Sequence, residues 1–224
     1  MRYAGVLVST WLLGSFCLLN AQQIAVGVKG GVRASDDVDG FSLRSSESKR
    51  YIVGPAVELR LPWRLGVEFD ALYRRFGYTS ESQFASLSHS IIRERGNSWE
   101  FPLLAKYRIP GRLVQPFAGA GYDWRKVNGS DVSSGYYLSG QTTNPPADIY
   151  TYYFNQRRST DYPVGHGVVI SGGIDLNSRH LRVSPEFRYV RWRKQFLSQV
   201  GGDGSYFLQS SQNEYFILVG ISWH

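Results

Sequence analysis

Trp99-Glu100-Phe101-Pro102-Leu103-Leu104-Ala105-Lys106-Tyr107-Arg108-Ile109 alternates with a period of two. Trp99, Phe101, Leu103, Ala105, Tyr107 and Ile109 fall on one face, and Glu100, Lys106 and Arg108 on the other. Successive side chains of a β-strand point to opposite sides, so this stretch is a strand with one apolar and one charged face. Residues 65–74 repeat the split, with Leu65, Val67, Phe69, Ala71 and Tyr73 opposite Glu68, Asp70 and Arg74. Residues 181–189 repeat it again, with Leu181, Val183, Pro185, Phe187 and Tyr189 opposite Arg182, Ser184, Glu186 and Arg188.

Extended along the chain, the same period predicts eight strands, at 23–34, 50–61, 64–76, 98–109, 112–127, 163–176, 179–194 and 214–223. The connections alternate. Tight turns follow the second, fourth and sixth strands, around Pro62-Trp63, Pro110-Gly111 and Asn177-Ser178, and long segments rich in Ser, Gly, Asp and Asn follow the odd ones. Regular short and long connections, with strands of about ten residues, are the pattern of a tilted bilayer-crossing barrel. Only a closed barrel pairs every strand edge in lipid. The expected fold is therefore all-β: a closed, antiparallel, up-and-down transmembrane barrel of eight strands, with short periplasmic turns and long extracellular loops. A soluble sandwich with an aromatic core would not set so many charges opposite its apolar rows.

Composition fits this reading. The chain of 224 residues holds 15 Tyr, 12 Phe and 6 Trp, with a single Cys, which excludes a disulfide scaffold or Cys-ligated metal domain. Trp99, Tyr73, Tyr122, Trp124, Tyr189 and Tyr215 lie near the loop ends of the strands, and Trp63, Tyr107 and Trp223 near the turn ends. Two interfacial aromatic girdles are expected. Met1-Arg2-Tyr3, the apolar run Ala4 to Leu19 and Asn20-Ala21 read as a secretory signal peptide. A transmembrane anchor would need a longer apolar run and a stop-transfer flank. Phe16 before Cys17 does not suit a lipoprotein signal. The expected division is residues 1–21 as signal peptide and 22–224 as barrel, the latter without Cys or Met.

The strand from Trp99 to Tyr107, the segment Pro116-Phe117-Ala118-Gly119-Ala120-Gly121-Tyr122 and the ending Tyr215 to Trp223 resemble the small outer-membrane β-barrel domain family of OmpA-like and opacity-type proteins. The resemblance covers the whole chain after residue 21 and specifies a fold without an activity. It implies that the last strand is read by the barrel-insertion machinery through a terminal aromatic. Tyr215, Ile217, Val219, Ile221 and Trp223 supply that alternation, although His224 follows the aromatic and Phe is absent from the end. No periplasmic peptidoglycan-binding domain is expected, because the sequence ends with the barrel.

With the apolar face toward lipid, the opposite face lines the lumen. Its basic residues are Lys29, Arg33, Arg60, Arg74, Lys106, Arg108, Arg125, Arg182 and Arg188; its acidic ones are Glu58, Glu68, Asp70, Glu100, Asp123, Asp175 and Glu186. Eight strands leave a bore that side chains fill, so paired charges are expected to plug it. An ion pathway through them is the alternative. The loops carry a net −5, from Arg44, Lys49, Arg93, Arg95, Arg157 and Arg158 against eleven acids. The basic excess is assigned to strand ends, of which Arg50, Arg75, Lys126, Arg191, Arg193 and Lys194 are extracellular. These six are expected to contact lipopolysaccharide phosphates, against the plainer reading of snorkelling cations. Although the net charge is +7, nucleic acid is set aside, since the cations form membrane-level rings on an exported barrel.

Some outer-membrane barrels are lipid A-modifying enzymes, whose chemistry needs a His beside a Ser nucleophile and a carboxylate at the outer rim. His166 faces lipid by alternation, His89 lies in a Ser-rich loop, and His180 and His224 are periplasmic. No catalytic, cofactor-binding or metal-ligating set emerges, and a monomer of structural or surface-interacting role is expected. Asp37-Val38-Asp39-Gly40 lacks the spaced ligands of a calcium loop and reads as a solvated turn. The longest loop, 128–162, gathers Tyr136, Tyr137, Tyr150, Tyr152, Tyr153 and Phe154 around Pro145-Pro146. Its aromatics suit a partner-binding loop or a hairpin extension of strands five and six. Recruiting it into a ten-stranded barrel is a third possibility.

Overall fold

Period-two patterning becomes strand throughout the computed structural model. It describes residues 23–36, 38–39, 44–46, 50–84, 88–139, 149–158, 164–178, 180–194, 198–200 and 206–223. Eight strands form the wall: β1 (Gln23–Arg33), β2 (Tyr51–Arg60), β3 (Leu65–Asp70 continued by Leu72–Phe84), β4 (Ser88–Arg108), β5 (Val114–Ser139), β6 (Val164–Asn177), β7 (Leu181–Trp192) and β8 (Asn213–Trp223). Each pairs antiparallel with its chain neighbours, and β8 returns to β1 in the register Val26 opposite Trp223 through Arg33 opposite Phe216. The ring is closed, so no wall strand exposes an unpaired edge to lipid.

The short connections fall where expected. Leu61 N–H donates to Leu65 O at 2.9 Å, Ile109 N–H to Pro116 O at 2.8 Å and Ser178 N–H to Leu181 O at 2.8 Å. In the first turn Trp63 and Arg64 both adopt positive φ, at 61° and 68°. That region is costly for residues with a Cβ.

At the opposite end three strands run well past the expected boundaries. β3 and β4 continue as a ladder to Phe84 opposite Ser88, so residues 77–97 are mostly strand instead of a loop. β5 continues to Ser139 and pairs with Ile149–Arg158, Ser130 opposite Arg158 and Ser139 opposite Ile149. That hairpin strand lies above β6, against β5, and outside the ring, so the barrel has eight strands and not ten. Val38–Asp39, expected as a turn, is a two-residue strand against Gln209–Ser210. The barrel thus carries an extracellular wall built from β3, β4, β5 and the hairpin strand. A register shift between Gly96 and Ser98 on β4 faces Gly129, with φ of 89°, on β5. Bulges of this kind bend a sheet, and they lie where the wall leaves the barrel. A Cβ on Gly96 would lie 2.8 Å from the backbone oxygen of Gly129 and against the Phe76 ring, so the bend is suited to glycine.

Burial is inverted relative to a soluble barrel. On β1, Ile24, Val26, Val28 and Val32 point outward and are exposed, while Lys29 and Arg33 are buried. β8 presents Tyr215, Ile217, Val219, Ile221 and Trp223 outward, against Glu214, Phe216 and Leu218 inward. Those five outward positions span about 27 Å along the strand, or about 20 Å of membrane depth at the usual tilt. The ring systems cluster at the ends: Tyr73 lies 6.5 Å from Tyr51 and 5.4 Å from Trp99, and Tyr122 lies 5.1 Å from Trp124. At the turn end Trp63 is 85% exposed.

Candidate functional site

The barrel interior is built in tiers, because inward residues of neighbouring strands recur every second position. In the tier nearest the turns, Glu58 is ion-paired with Arg108 and accepts from Arg182 Nη2 at 2.7 Å. Asp175 accepts from Arg108 Nε at 2.7 Å and Ser184 Oγ at 2.6 Å, and Arg182 Nε donates to Ser222 Oγ at 3.0 Å. Gly66 makes this tier possible: a Cβ there would stand 2.8 Å from Arg108 Nη1 and 2.9 Å from Glu58 Oε1. Arg60 is half-buried at the rim, and its Nε and Nη2 find no hydrogen-bond partner among the described residues.

One tier up, three cations and three carboxylates interlock. Lys29 Nζ donates to Glu68, to Asp70 at 3.2 Å and to Glu186 at 2.9 Å. Lys106 Nζ donates to Glu68 at 2.7 Å and Glu186 at 3.3 Å while sitting 4.3 Å from the centre of the Phe117 ring. Arg188 spans Glu186 at 2.9 Å and Asp70 at 2.8 Å. No cation here depends on a single partner. A cavity bordered by Lys29, Glu58, Glu68 and Arg182 measures about 20 Å³, space for one water molecule.

An apolar tier of Ile52, Leu72, Leu104, Val169, Val190 and Leu218 packs between this network and the next. Above it, Arg74 Nη1 donates to Glu214 at 2.7 Å and Glu100 at 3.0 Å. Arg125 is paired with Glu214 and, at 2.8 Å, with Glu100, and its guanidinium lies 3.7 Å from the centre of the Trp192 ring. Trp192 Nε1 donates to Glu214 at 3.0 Å. Arg33 and Asp123 are buried at this level, where Asp123 lies among Glu100, Arg125 and Arg188. Further out, Glu94 accepts from Tyr78 OH at 3.0 Å and from Ser130 Oγ.

All sixteen sequence-predicted interior residues therefore face inward. Two acids were not among them. Glu214 takes its direction from Tyr215 on the outer face, and Glu94 falls within residues 77–97, which show no apolar face and read as loop. With them, the inward charges among the described residues number nine basic and nine acidic. The six strand-end cations do not form one group. Lys126, Arg191, Arg193 and Lys194 are exposed, Arg50 pairs with Asp36 at 2.7 Å, and Arg75 is half-buried against β4 and β5. His166 faces outward and stacks on Tyr122 at 6.1 Å, and His180 is exposed at the turn end. His89 lies on β4, its residue expected in a loop, and His224 lies outside the described residues.

A closed ring of eight strands, apolar outside and charged within, defines a small outer-membrane β-barrel protein. Its apolar exterior is solvated by lipid, and its even strand number places both described ends of the ring on the side of the short turns, the periplasmic side. No protein-family model and no curated protein sequence matches the chain. Among solved structures it is similar to OprG of Pseudomonas aeruginosa, at 13% identity over 90% of this chain and 94% of that one, with a TM-score of 0.46. It is similar to a major outer membrane protein of Thermus thermophilus, at 12% identity over 91% and 98%, with a TM-score of 0.44. The attachment invasion locus protein Ail of Yersinia pestis shares 9% identity over 90% and 96%, with a TM-score of 0.34.

Proposed function

We propose that this protein is a plugged barrel of the bacterial envelope, with a structural or surface-interacting role and no through-pore or catalytic centre. The observation that carries the reading is the middle tier, where Lys29, Lys106 and Arg188 interlock with Glu68, Asp70 and Glu186 across the bore. An ion crossing there would have to break several desolvated pairs at once. Residues 1–21 direct export and are removed, and Tyr215 to Trp223 presents the insertion signal. Arg50, Arg75, Lys126, Arg191, Arg193 and Lys194 contact lipopolysaccharide phosphates, which outward guanidinium and ammonium groups above an aromatic girdle can reach.

Planar-bilayer recording tests the plug. Purified, folded protein is expected to give no discrete conductance steps in molar salt. Reproducible ohmic steps would replace this reading with that of a narrow pore. An altered lipid A mass on overexpression would replace it with that of a lipid-modifying enzyme.

A further inference from the structure

The arginines that the sequence scatters over separate loops meet on one surface. Arg75 on β3 is paired in register with Asn97 on β4, two residues from Arg95. Arg95 is opposite Asp131 on β5, and Asp131 is opposite Arg157 on the hairpin strand. Arg93 lies one outward position beyond Arg95, opposite Ser133. Four guanidinium-bearing residues thus share the outer face of four adjacent strands, with Asp131 the one carboxylate among the described residues bordering the cavity they line, about 510 Å³. A second hollow of about 220 Å³ adjoins it and shares Arg75, Arg95, Asp131 and Arg157. Tyr73, the girdle residue packed edge-on against Trp99, also lines it.

We propose that this surface is a binding site for a multiply phosphorylated lipid headgroup. The location argues for a lipid. The cluster begins two residues above the aromatic girdle, on the outward side, directly past the bulges that bend the wall. A molecule anchored in the outer leaflet would meet it without leaving the membrane. The chemistry argues for phosphate. Guanidinium forks match phosphate oxygens bidentately and hold them at a wetted surface better than ammonium groups do. The spacing argues for more than one phosphate: Arg75 and Arg157 are three strand spacings apart, about 14 Å, and Arg93 and Arg95 about 7 Å along one strand. The site rests on the reading of the chain as an outer-membrane barrel touching phosphorylated lipid. It extends the strand-end contact, in which Arg75 already takes part, to Arg93, Arg95 and Arg157.

The test uses the full barrel folded in detergent, its fold verified for each variant by heat-modifiable gel migration. Binding of lipopolysaccharide, of its dephosphorylated form and of inorganic pyrophosphate is measured for the wild type, R93S/R95S/R157S and R64S/R112S, the last removing two exposed cations at the turn end. The milder R93S/R157S reports on the site should the triple variant not fold. The cluster variant is expected to lose lipopolysaccharide affinity at least about tenfold, the value of one lost charged hydrogen bond, with the turn-end variant within about threefold of wild type. Dephosphorylated lipid should bind as weakly to wild type as intact lipid does to the cluster variant. Unchanged affinity in the cluster variants, with wild type binding well, overturns the site and leaves the outer-membrane reading standing. Pyrophosphate competing as strongly as the lipid overturns the lipid assignment in favour of free phosphate. A wild type indifferent to phosphorylated lipid overturns both this site and the six-cation contact.

Discussion

Glu214→Gln is the sharpest probe of how the interior holds together. The carboxylate is fully buried and takes Arg74 at 2.7 and 3.2 Å, Arg125, and Trp192 Nε1 at 3.0 Å. Gln keeps the shape and most of the hydrogen bonds and removes one negative charge. Arg74 and Arg125 are then left to share Glu100, at 3.0 and 2.8 Å. At an effective dielectric near 20, each lost contact is worth about 4 kcal/mol of attraction, roughly 8 kcal/mol for the two. The variant recovers part of this, because it no longer desolvates a carboxylate. The net loss should be about 3–5 kcal/mol, the range for removing one partner of a buried pair. Urea unfolding in detergent, followed by tryptophan fluorescence and by the heat-modifiable band, measures it. The double variant E214Q/R125M should be more stable than E214Q alone, since it also removes the stranded cation. A loss below about 1 kcal/mol in E214Q, or a double variant no better than the single, would refute the claim that these pairs are coupled and dry.

Three further substitutions probe other layers by the same unfolding assay. Leu104→Ala, fully buried in the apolar tier, should cost about 2–5 kcal/mol by leaving a cavity; a loss under about 1 kcal/mol would mean that the tier is loosely packed. Gly66→Ala pushes a methyl against Arg108 and Glu58 at under 3 Å and should cost about 1–3 kcal/mol, an outcome excluded if the variant unfolds with the wild type. Arg64→Gly relieves the φ of 68° in the first turn and should raise stability by up to about 1 kcal/mol, the strain relieved less the added freedom of the unfolded chain; a lower urea midpoint would show that the Arg64 side chain contributes more than its strained backbone costs.

What the sequence made legible follows from where water is. Within the membrane one face of each strand meets lipid and the other a packed interior, so alternation is strong and the directions of Lys29, Glu68, Arg125 and Arg188 can be read from their apolar neighbours. Beyond the girdle both faces of a strand are wetted, and that contrast disappears. Thr79-Ser80-Glu81-Ser82-Gln83 and Ser88-His89-Ser90 therefore read as loop although they are ladder partners. Glu94 lies in the same stretch and reads the same way. The arginine cluster is illegible for a further reason: Arg75, Arg95 and Arg157 meet only through the register of three strand pairs, and register across a bulge is not set by local sequence.

Charge balance links the interior to the rim. Nine inward cations face nine inward anions among the described residues, so the bore contributes nothing to the chain's net +7. A neutral interior is what low dielectric demands, because each unmatched charge there would cost several kcal/mol. The positive excess has to lie where solvent or a counter-ion can meet it. A barrel wall allows only its two rims and whatever extends beyond them, since cations on the apolar band are costly at the midplane. Lengthening β3, β4 and β5 past the girdle creates new outward positions in that permitted zone, and Arg75, Arg93 and Arg95 occupy them. Strand extension and charge placement are therefore one feature: the wall that rises past the girdle also gathers its arginines beside the membrane surface.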